Sequence, residues 1–296
     1  MAVLLWQRDG KRGYQFSDGR QRVFKEGFYH LFKPAVAPGD GSAKTVVRLA
    51  RLAGDEQVLD SGRRLPSLRD QIGLFREDYP EGFHGEAWQA DHRGLGAKRR
   101  LKRHRDPAIA QAVGLSRAKL GALVEAKDWA GIHERVHELL KGSDLVPAPH
   151  AKRFAALAPS AELGEALYGW LYGEEEGPTR FARFERALGR KVSTWPVISA
   201  IGALVDPEGH TCVRPSVYRV QAKMLLPNFQ VSARPNWLSY SRYLHMASTV
   251  YDELEAAGLA PNDLLDVYDF IWHTLRPAAQ ARLGVDAKAA PARKTG

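Results

Sequence analysis

Hydrophobic and polar residues alternate over the first part of the chain, in short runs separated by turn residues. Tyr14 and Phe16 alternate with polar neighbours, and an Asp-Gly pair separates them from a second run that contains Val23. A period of two is typical of a half-buried β-strand, and Asp-Gly favours a tight hairpin turn. A later apolar run at 45–49 has the same strand-like composition. The pattern therefore predicts a small β-rich module over residues 1–62.

From Pro66 onward the hydrophobic period changes to that of an α-helix. Apolar residues then recur three or four positions apart, as one helical turn requires. The first such stripe consists of Leu68, Ile72, Phe75 and Tyr79, and further helical stretches follow at 160–173, 193–205, 237–258 and 264–275. The stretch 193–205 is apolar on every side, so we expect it to be the buried central helix.

These two patterns predict an α+β chain that is predominantly α, with the β-rich module followed by a multi-helix domain. The predicted parts are the β-rich module at 1–62, a helix with a basic arm at 63–105, a helical domain at 106–285 and a disordered tail at 286–296. The tail is assigned from its polar, small-residue composition.

Composition narrows the class of protein. The chain has 296 residues and a single cysteine, Cys212, which excludes an internal disulfide framework and suits a reducing compartment. No apolar run approaches the roughly 20 residues that cross a bilayer, and the apolar start of the chain is shorter than a signal-peptide core. We therefore predict a cytoplasmic protein without a membrane segment.

The net charge of +9 is concentrated in one short segment. Residues 93–105, here called the basic arm, carry seven basic side chains and no acidic one, whereas the chain before and after the arm is nearly neutral. A compact cationic segment on a neutral body is typical of an arm that contacts a polyanion such as nucleic acid. The arm's cations are Arg93, Lys98, Arg99, Arg100, Lys102, Arg103 and Arg105.

The segment that follows the arm, 106–123, resembles a helix-turn-helix motif. Small Ala110 would lie where the two helices touch, and Gly114 would supply a left-handed residue in the turn. The apolar residues that would form the small core are Ile109, Val113, Leu115, Leu120 and Leu123.

In such motifs the second helix enters the major groove with its N-terminal end. The resemblance implies that Ser116, Arg117 and Lys119 reach base edges and phosphates there. The alternative interpretation is an ordinary pair of packed helices, because the same small and apolar positions satisfy any helical hairpin.

A zinc-ligand string lies further along the chain, at His133-Glu134-Arg135-Val136-His137. On a helix this spacing places two imidazoles one turn apart, with a carboxylate that could act as general base toward a metal-bound water. Glu162 or Glu165 would have to supply the third ligand. A zinc-dependent hydrolase is therefore an alternative function, and an exposed helix face is the structural alternative.

Two further groups of charged side chains have a competing structural interpretation. Asp263, Asp266 and Asp269 with His273 could hold Mg²⁺ in a nuclease, but Asp263 also suits a helix N-terminus and Asp269 could pair with His273 one turn away. A stripe at Arg180, Arg183, Arg186 and Arg190 could add a second phosphate-binding surface, or pair with nearby glutamates.

Together these observations favour a non-enzymatic nucleic-acid-binding protein that needs no cofactor. Duplex DNA is the preferred ligand and RNA is an alternative, because phosphate contacts do not distinguish the two polymers. The C-terminal helical domain could also recruit a protein partner. An adaptor whose arm meets an acidic protein is the remaining alternative.

Overall fold

A computed structural model of the chain describes residues 2–8, 10–16, 21–31, 66–94, 102–226 and 232–283. These residues are predominantly helical, which confirms the predicted helical character of the chain. The predicted strand at 45–49 and the predicted tail lie outside the described residues. Of the helices described, none is long and apolar enough to cross a membrane.

Three strands form an antiparallel sheet in the order β1-β2-β3 near the N-terminus. They are β1 (Ala2–Arg8), β2 (Lys11–Phe16) and β3 (Gln21–Lys25), followed by a 3-10 helix at Glu26–Leu31. The pairing of β2 with β3 confirms the predicted hairpin, although its Asp-Gly turn lies outside the described residues.

The side chains of the hairpin follow the predicted alternation only in part. Tyr14 is buried and packs edge-to-face on Phe24, with ring centroids 5.9 Å apart. Val23 was expected to face the same interior but is 56% exposed. Phe24 packs on Tyr14, and neighbouring residues of a strand point to opposite faces, so Val23 points toward solvent.

The helices carry the rest of the described chain. They are α1 (Leu68–Asp78), α2 (Arg105–Ala112), α3 (Arg117–Glu125), α4 (Trp129–Gly142), α5 (Ala148–Ala155), α6 (Ala161–Tyr172), α7 (Gly177–Val192), α8 (Trp195–Val205), α9 (Pro215–Leu225), α10 (Trp237–Ala256), α11 (Leu264–Leu275) and α12 (Pro277–Arg282). Short helical turns at Gly82–His84, Glu86–Trp88 and Gln89–Arg93 lead into the basic arm.

Side-chain caps fix the start of several helices, as the sequence predicts for Ser160. The Ser160 hydroxyl accepts a hydrogen bond from the backbone N–H of Leu163 at 3.2 Å and begins α6. Asp128 likewise accepts from Gly131 at 2.8 Å and begins α4. These bonds satisfy backbone donors that have no partner within the helix.

The chain divides into two compact units, and the division falls inside α1, α9 and α11. The first unit contains Met1–Leu74, Arg219–Gln230 and His273–Gly296. Within it, the Thr274 hydroxyl donates to the side-chain oxygen of the fully buried Gln71 at 3.0 Å. The predicted boundaries at 62, 105 and 285 stay predictions.

The second unit, Phe75–Tyr218 with Val231–Trp272, is built around α8. Val197, Ile198, Ala200, Ile201 and Leu204 of α8 are completely buried, which confirms the predicted central helix. Helices α2, α4 and α5 pack against it. A helix that is apolar on every side can be stable only where neighbours cover it all round.

An aromatic cluster in the second unit holds the segment before the basic arm. Phe75 stacks on Phe83 at 4.7 Å between ring centroids and also contacts Trp88 and Phe270 edge-on. The indole N–H of Trp88 donates to the carboxylate of Asp266 at 3.1 Å. The chain that leads into the arm is thereby packed against α11.

Candidate nucleic-acid surfaces

The first cation of the basic arm, Arg93, is buried in ion pairs with carboxylates of the same chain. Its guanidinium donates to both oxygens of Asp263, at 2.7 and 3.1 Å, and lies 3.0 Å from Asp106 and 3.4 Å from Asp266. Only 6% of Arg93 is exposed. A two-point contact of this kind fixes the position of the guanidinium as well as its charge.

The last cation of the arm, Arg105, is held in the same way. It donates to both oxygens of Asp269, at 2.8 and 2.6 Å, and also pairs with Asp144. It is 2% exposed. Burial alone would lower the pKa of Arg105, but Asp269 and Asp144 more than offset it and raise that pKa. Arg105 therefore stays charged.

The acidic residues at the start of α11 are spaced so that they meet these two arginines. Asp263 accepts from the backbone N–H groups of Leu265 and Asp266 at 2.9 and 3.0 Å, so it caps the helix as predicted. Positions three apart on a helix share a face, which brings Asp266 and Asp269 beside it. Both oxygens of Asp269, for which His273 was the expected partner, accept hydrogen bonds from Arg105.

We call Arg93, Arg105 and their five aspartates the buried charge network. Asp263, Asp266 and Asp269 are buried, whereas Asp106 and Asp144 lie at its partly exposed edge. Carboxylates outnumber guanidinium groups in it. Burial raises the pKa of Asp266 to about 6, with Arg93 acting in the opposite direction. Burial also raises the pKa of Asp269, against the effect of Arg105. Part of the network therefore titrates not far below neutral pH.

Two other cations of the arm lie at the surface. Arg103 is about half exposed and pairs with Asp91 at 3.2 Å, while Lys102 is exposed. Lys98, Arg99 and Arg100 lie outside the described residues. Among the described cations of the arm, the structure thus separates two buried anchors, Arg93 and Arg105, from two exposed side chains, Lys102 and Arg103.

The predicted helix-turn-helix segment forms two helices joined by a tight turn. Helix α2 is followed by a 3-10 turn at Val113–Leu115 and then by α3. Leu115 and Leu120 are buried, as expected for the small core. The hydroxyl of Tyr172 donates to the carbonyl of Leu115 at 2.7 Å and fastens the turn to α6.

Some details of the predicted motif are wrong. Val113 is 53% exposed and Ala110 is exposed, whereas Ala108 and Ala112 are buried. The expected left-handed Gly114 lies in the 3-10 turn, and its φ is not positive. A 3-10 turn continues the right-handed path of the preceding helix, so the chain reverses without a left-handed residue and turns Val113 outward.

The N-terminal end of α3 presents cations to solvent. Arg117 and Lys119 are exposed, and Ser116 immediately precedes the helix. A Cβ atom at Gly114 would lie 3.4 Å from a guanidinium nitrogen of Arg135, so this exposed arginine of α4 lies beside the turn. Within the described residues, none of the three cations forms an ion pair.

Arg135 is the residue of this surface that the sequence does not reveal. Along the chain it stands only between His133 and His137. Its position beside the turn cannot be predicted from the sequence, because the contact depends on how α4 packs beside α2 and α3.

The zinc-ligand string lies on α4 with its two histidines engaged in other contacts. The ring of His133 stacks on Phe154 at 4.9 Å, and its Nε2 lies 3.1 Å from the carbonyl oxygen of Phe154. His137 lies 3.7 Å from Glu138. Among the described residues, which include Glu134, Glu162 and Glu165, no group of three or more His, Cys, Asp or Glu is placed to hold a metal ion.

Comparison with known proteins adds no relative to this picture. No protein-family model, no curated protein and no solved structure matches the chain.

Proposed function

We propose that the chain is a non-enzymatic nucleic-acid-binding protein that contacts duplex DNA. The observation that carries the proposal is the exposed cationic turn made by Arg117, Lys119 and Arg135 at the start of α3. The N-terminal end of a helix has a partial positive charge of about half a unit and unpaired backbone N–H groups. Cations added there without neutralising carboxylates favour the approach of phosphate groups.

The cations of the basic arm between its two buried arginines supply further phosphate contacts in this proposal. Lys98, Arg99, Arg100 and Lys102 are the contacting side chains, and Arg93 and Arg105 act as anchors. Both anchors pair with α11, so the two ends of the arm are held in place before any ligand binds. A segment that is already restrained loses less entropy on binding.

Sequence preference, if the protein has one, would come from α3. Ser116 precedes the helix and Arg117 and Lys119 lie in its first turn, and side chains there are the ones that reach base edges when a helix enters the major groove. The arm would bind without sequence preference, since it offers charge alone.

Three further predictions from the sequence stay proposals. We keep a separate β-rich module at 1–62, a cytoplasmic location, and a protein partner for the C-terminal helices as proposals. The location rests on the single cysteine, Cys212, which suits a reducing compartment.

The test is the salt dependence of binding to a labelled duplex of about two helical turns. An arm variant carries Lys98→Gln, Arg99→Gln, Arg100→Gln and Lys102→Gln; a turn variant carries Arg117→Gln, Lys119→Gln and Arg135→Gln. At about 0.9 per lost contact, we expect the log–log slope to fall by about 3 to 4 units in the first and by about 2 to 3 in the second.

The matched control neutralises exposed cations on other elements, through Arg69→Gln, Arg219→Gln, Lys223→Gln and Arg234→Gln. It should leave the slope within about one unit of wild type. Absence of duplex binding by the wild-type protein, or equal slopes for the three variants, would reject the proposed function.

A further inference from the structure

A second set of exposed cations lies on α5 and the C-terminal half of α7, two helices that pack against each other. A guanidinium N–H of Arg153 donates to the carbonyl of Lys191 at 3.4 Å and joins the two helix ends. We call this set the α5/α7 patch; it consists of Lys152, Arg153, Arg186, Arg190 and Lys191, all of them exposed. Phe154, Phe184 and Leu188 of the same helices are buried, so the cations form the solvent face.

Carboxylates do not balance the charge of this patch. Helix α5 contains no acidic residue, and α7 contains one, the half-buried Glu185. Within the described residues, no cation of the patch forms an ion pair, in contrast to Arg183 of α7, which pairs with Glu175 at 2.9 Å. Glu162 and Glu165 of the adjacent α6 are exposed and also form no ion pair.

Helix dipoles offset only part of the positive charge of the α5/α7 patch. Lys152 and Arg153 lie in the last turn of α5, and Arg190 and Lys191 lie at the end of α7, after a break in the helix at Gly189 (φ 67°). Arg186 lies before this break. The C-terminal end of a helix carries about half a negative charge. Two helix ends and Glu185 together offset about two of the five positive charges. Burial and Arg153 lower the pKa of His150, so this histidine adds little positive charge at neutral pH. The patch keeps an excess of about three positive charges.

The surroundings of the patch indicate the class of ligand. Protein interfaces depend on aromatic or aliphatic anchors, and none of the exposed large hydrophobic residues of the described chain lies on α5 or α7. Binding of single strands depends on exposed aromatic rings that stack on bases, whereas Phe154, Phe181 and Phe184 are buried. The backbone of a duplex requires only cations.

We infer that the α5/α7 patch is a second contact surface for the phosphate backbone of duplex DNA, separate from the basic arm and the turn at α3. The inference rests on the proposed function. It extends the contacts by up to five phosphates, none of which carries sequence information.

The experiment uses the full chain with five substitutions: Lys152→Gln, Arg153→Gln, Arg186→Gln, Arg190→Gln and Lys191→Gln. Binding to the same labelled duplex is measured over a range of salt concentrations. We expect the log–log slope to fall by about 3 to 5 units, with weaker binding at every salt concentration. All five side chains are exposed, so the variant should fold, and its circular dichroism and thermal melt verify this.

The matched control removes the same total charge from exposed positions elsewhere, through Lys11→Gln, Arg69→Gln, Arg219→Gln, Lys223→Gln and Arg234→Gln. It should change the slope by less than about one unit. If the wild-type protein binds and the arm variant is weakened, but the patch variant matches the control, the inference is overturned and the proposed function survives. If the wild-type protein binds no duplex, both the inference and the proposed function are rejected.

Discussion

The buried charge network and the cationic turn at α3 use the same kind of side chain in opposite ways. Arg93 and Arg105 are almost completely buried and each is held by both oxygens of one aspartate. Arg117 at the turn is exposed and forms no ion pair within the described residues. An arginine in a basic segment is therefore available to a ligand only if the fold offers it no carboxylate.

The difference between the two regions should be largest in the free energy of unfolding. Replacing Arg105 by Met leaves the carboxylate of Asp269 buried without its guanidinium partner, so we expect Arg105→Met to lower the stability by about 3 to 5 kcal/mol. Chemical denaturation of the purified protein measures this loss.

The control for that loss is Arg103→Met, two residues earlier in the same arm. The ion pair between Arg103 and Asp91 is about half exposed. A surface pair is worth at most about 1 kcal/mol. Similar losses in the two variants would show that burial does not distinguish the two arginines. Adding Asp269→Asn to Arg105→Met should recover part of the stability, because it removes the unpaired charge.

The pH dependence of stability should reveal the carboxylate excess of the network. The pKa of Asp266 is about 6 in the folded chain and about 4 when unfolded, so between these values the folded chain binds more protons. Stability contributed by this group is therefore present at low pH and is lost as pH rises through about 6, with a slope of up to about 1.4 kcal/mol per pH unit.

Denaturation midpoints between pH 4 and pH 8 test this sign. Asp266→Asn removes the titration and should flatten the fall relative to wild type. The groups that face Asp266 are Arg93, Asp263, Asn262 and Trp88, and they are unchanged in the variant. A wild-type curve that runs parallel to that of Asp266→Asn would contradict the raised pKa.

The smallest expected effect concerns the turn. Tyr172→Phe removes the hydroxyl that donates to the carbonyl of Leu115, which should cost about 1 kcal/mol of stability. Tyr168→Phe on the same helix is the control and should cost less. If the two variants unfold together, the turn does not depend on this hydrogen bond.

Local patterns along the chain predicted the helices and several of their details. The central helix α8, the cap at Ser160 and the burial of Leu115 and Leu120 all follow from spacing and composition over a few residues. The pairing of Arg93 with Asp263 could not be found this way, because the partners are 170 positions apart in the sequence. Both groups stood out separately as a basic arm and an acidic cluster.

The turn between α2 and α3 shows a different reason for error. Glycine after a helix suggests a left-handed residue, but Gly114 lies in a 3-10 turn that needs none. Both solutions reverse the chain within a few residues, and the choice between them depends on what packs against the turn. Here Tyr172 from α6 and Arg135 from α4 are the neighbours, and neither is close in sequence.

Arg93 and Arg105 both pair with α11, so they also determine how much the length of the arm between them can change. Once its ends are fixed, doubling the number of residues between them costs only about 0.6 kcal/mol in closure entropy. An arm of altered length could therefore be engineered between Arg93 and Arg105 at small entropic cost, as long as both ion pairs with α11 are kept.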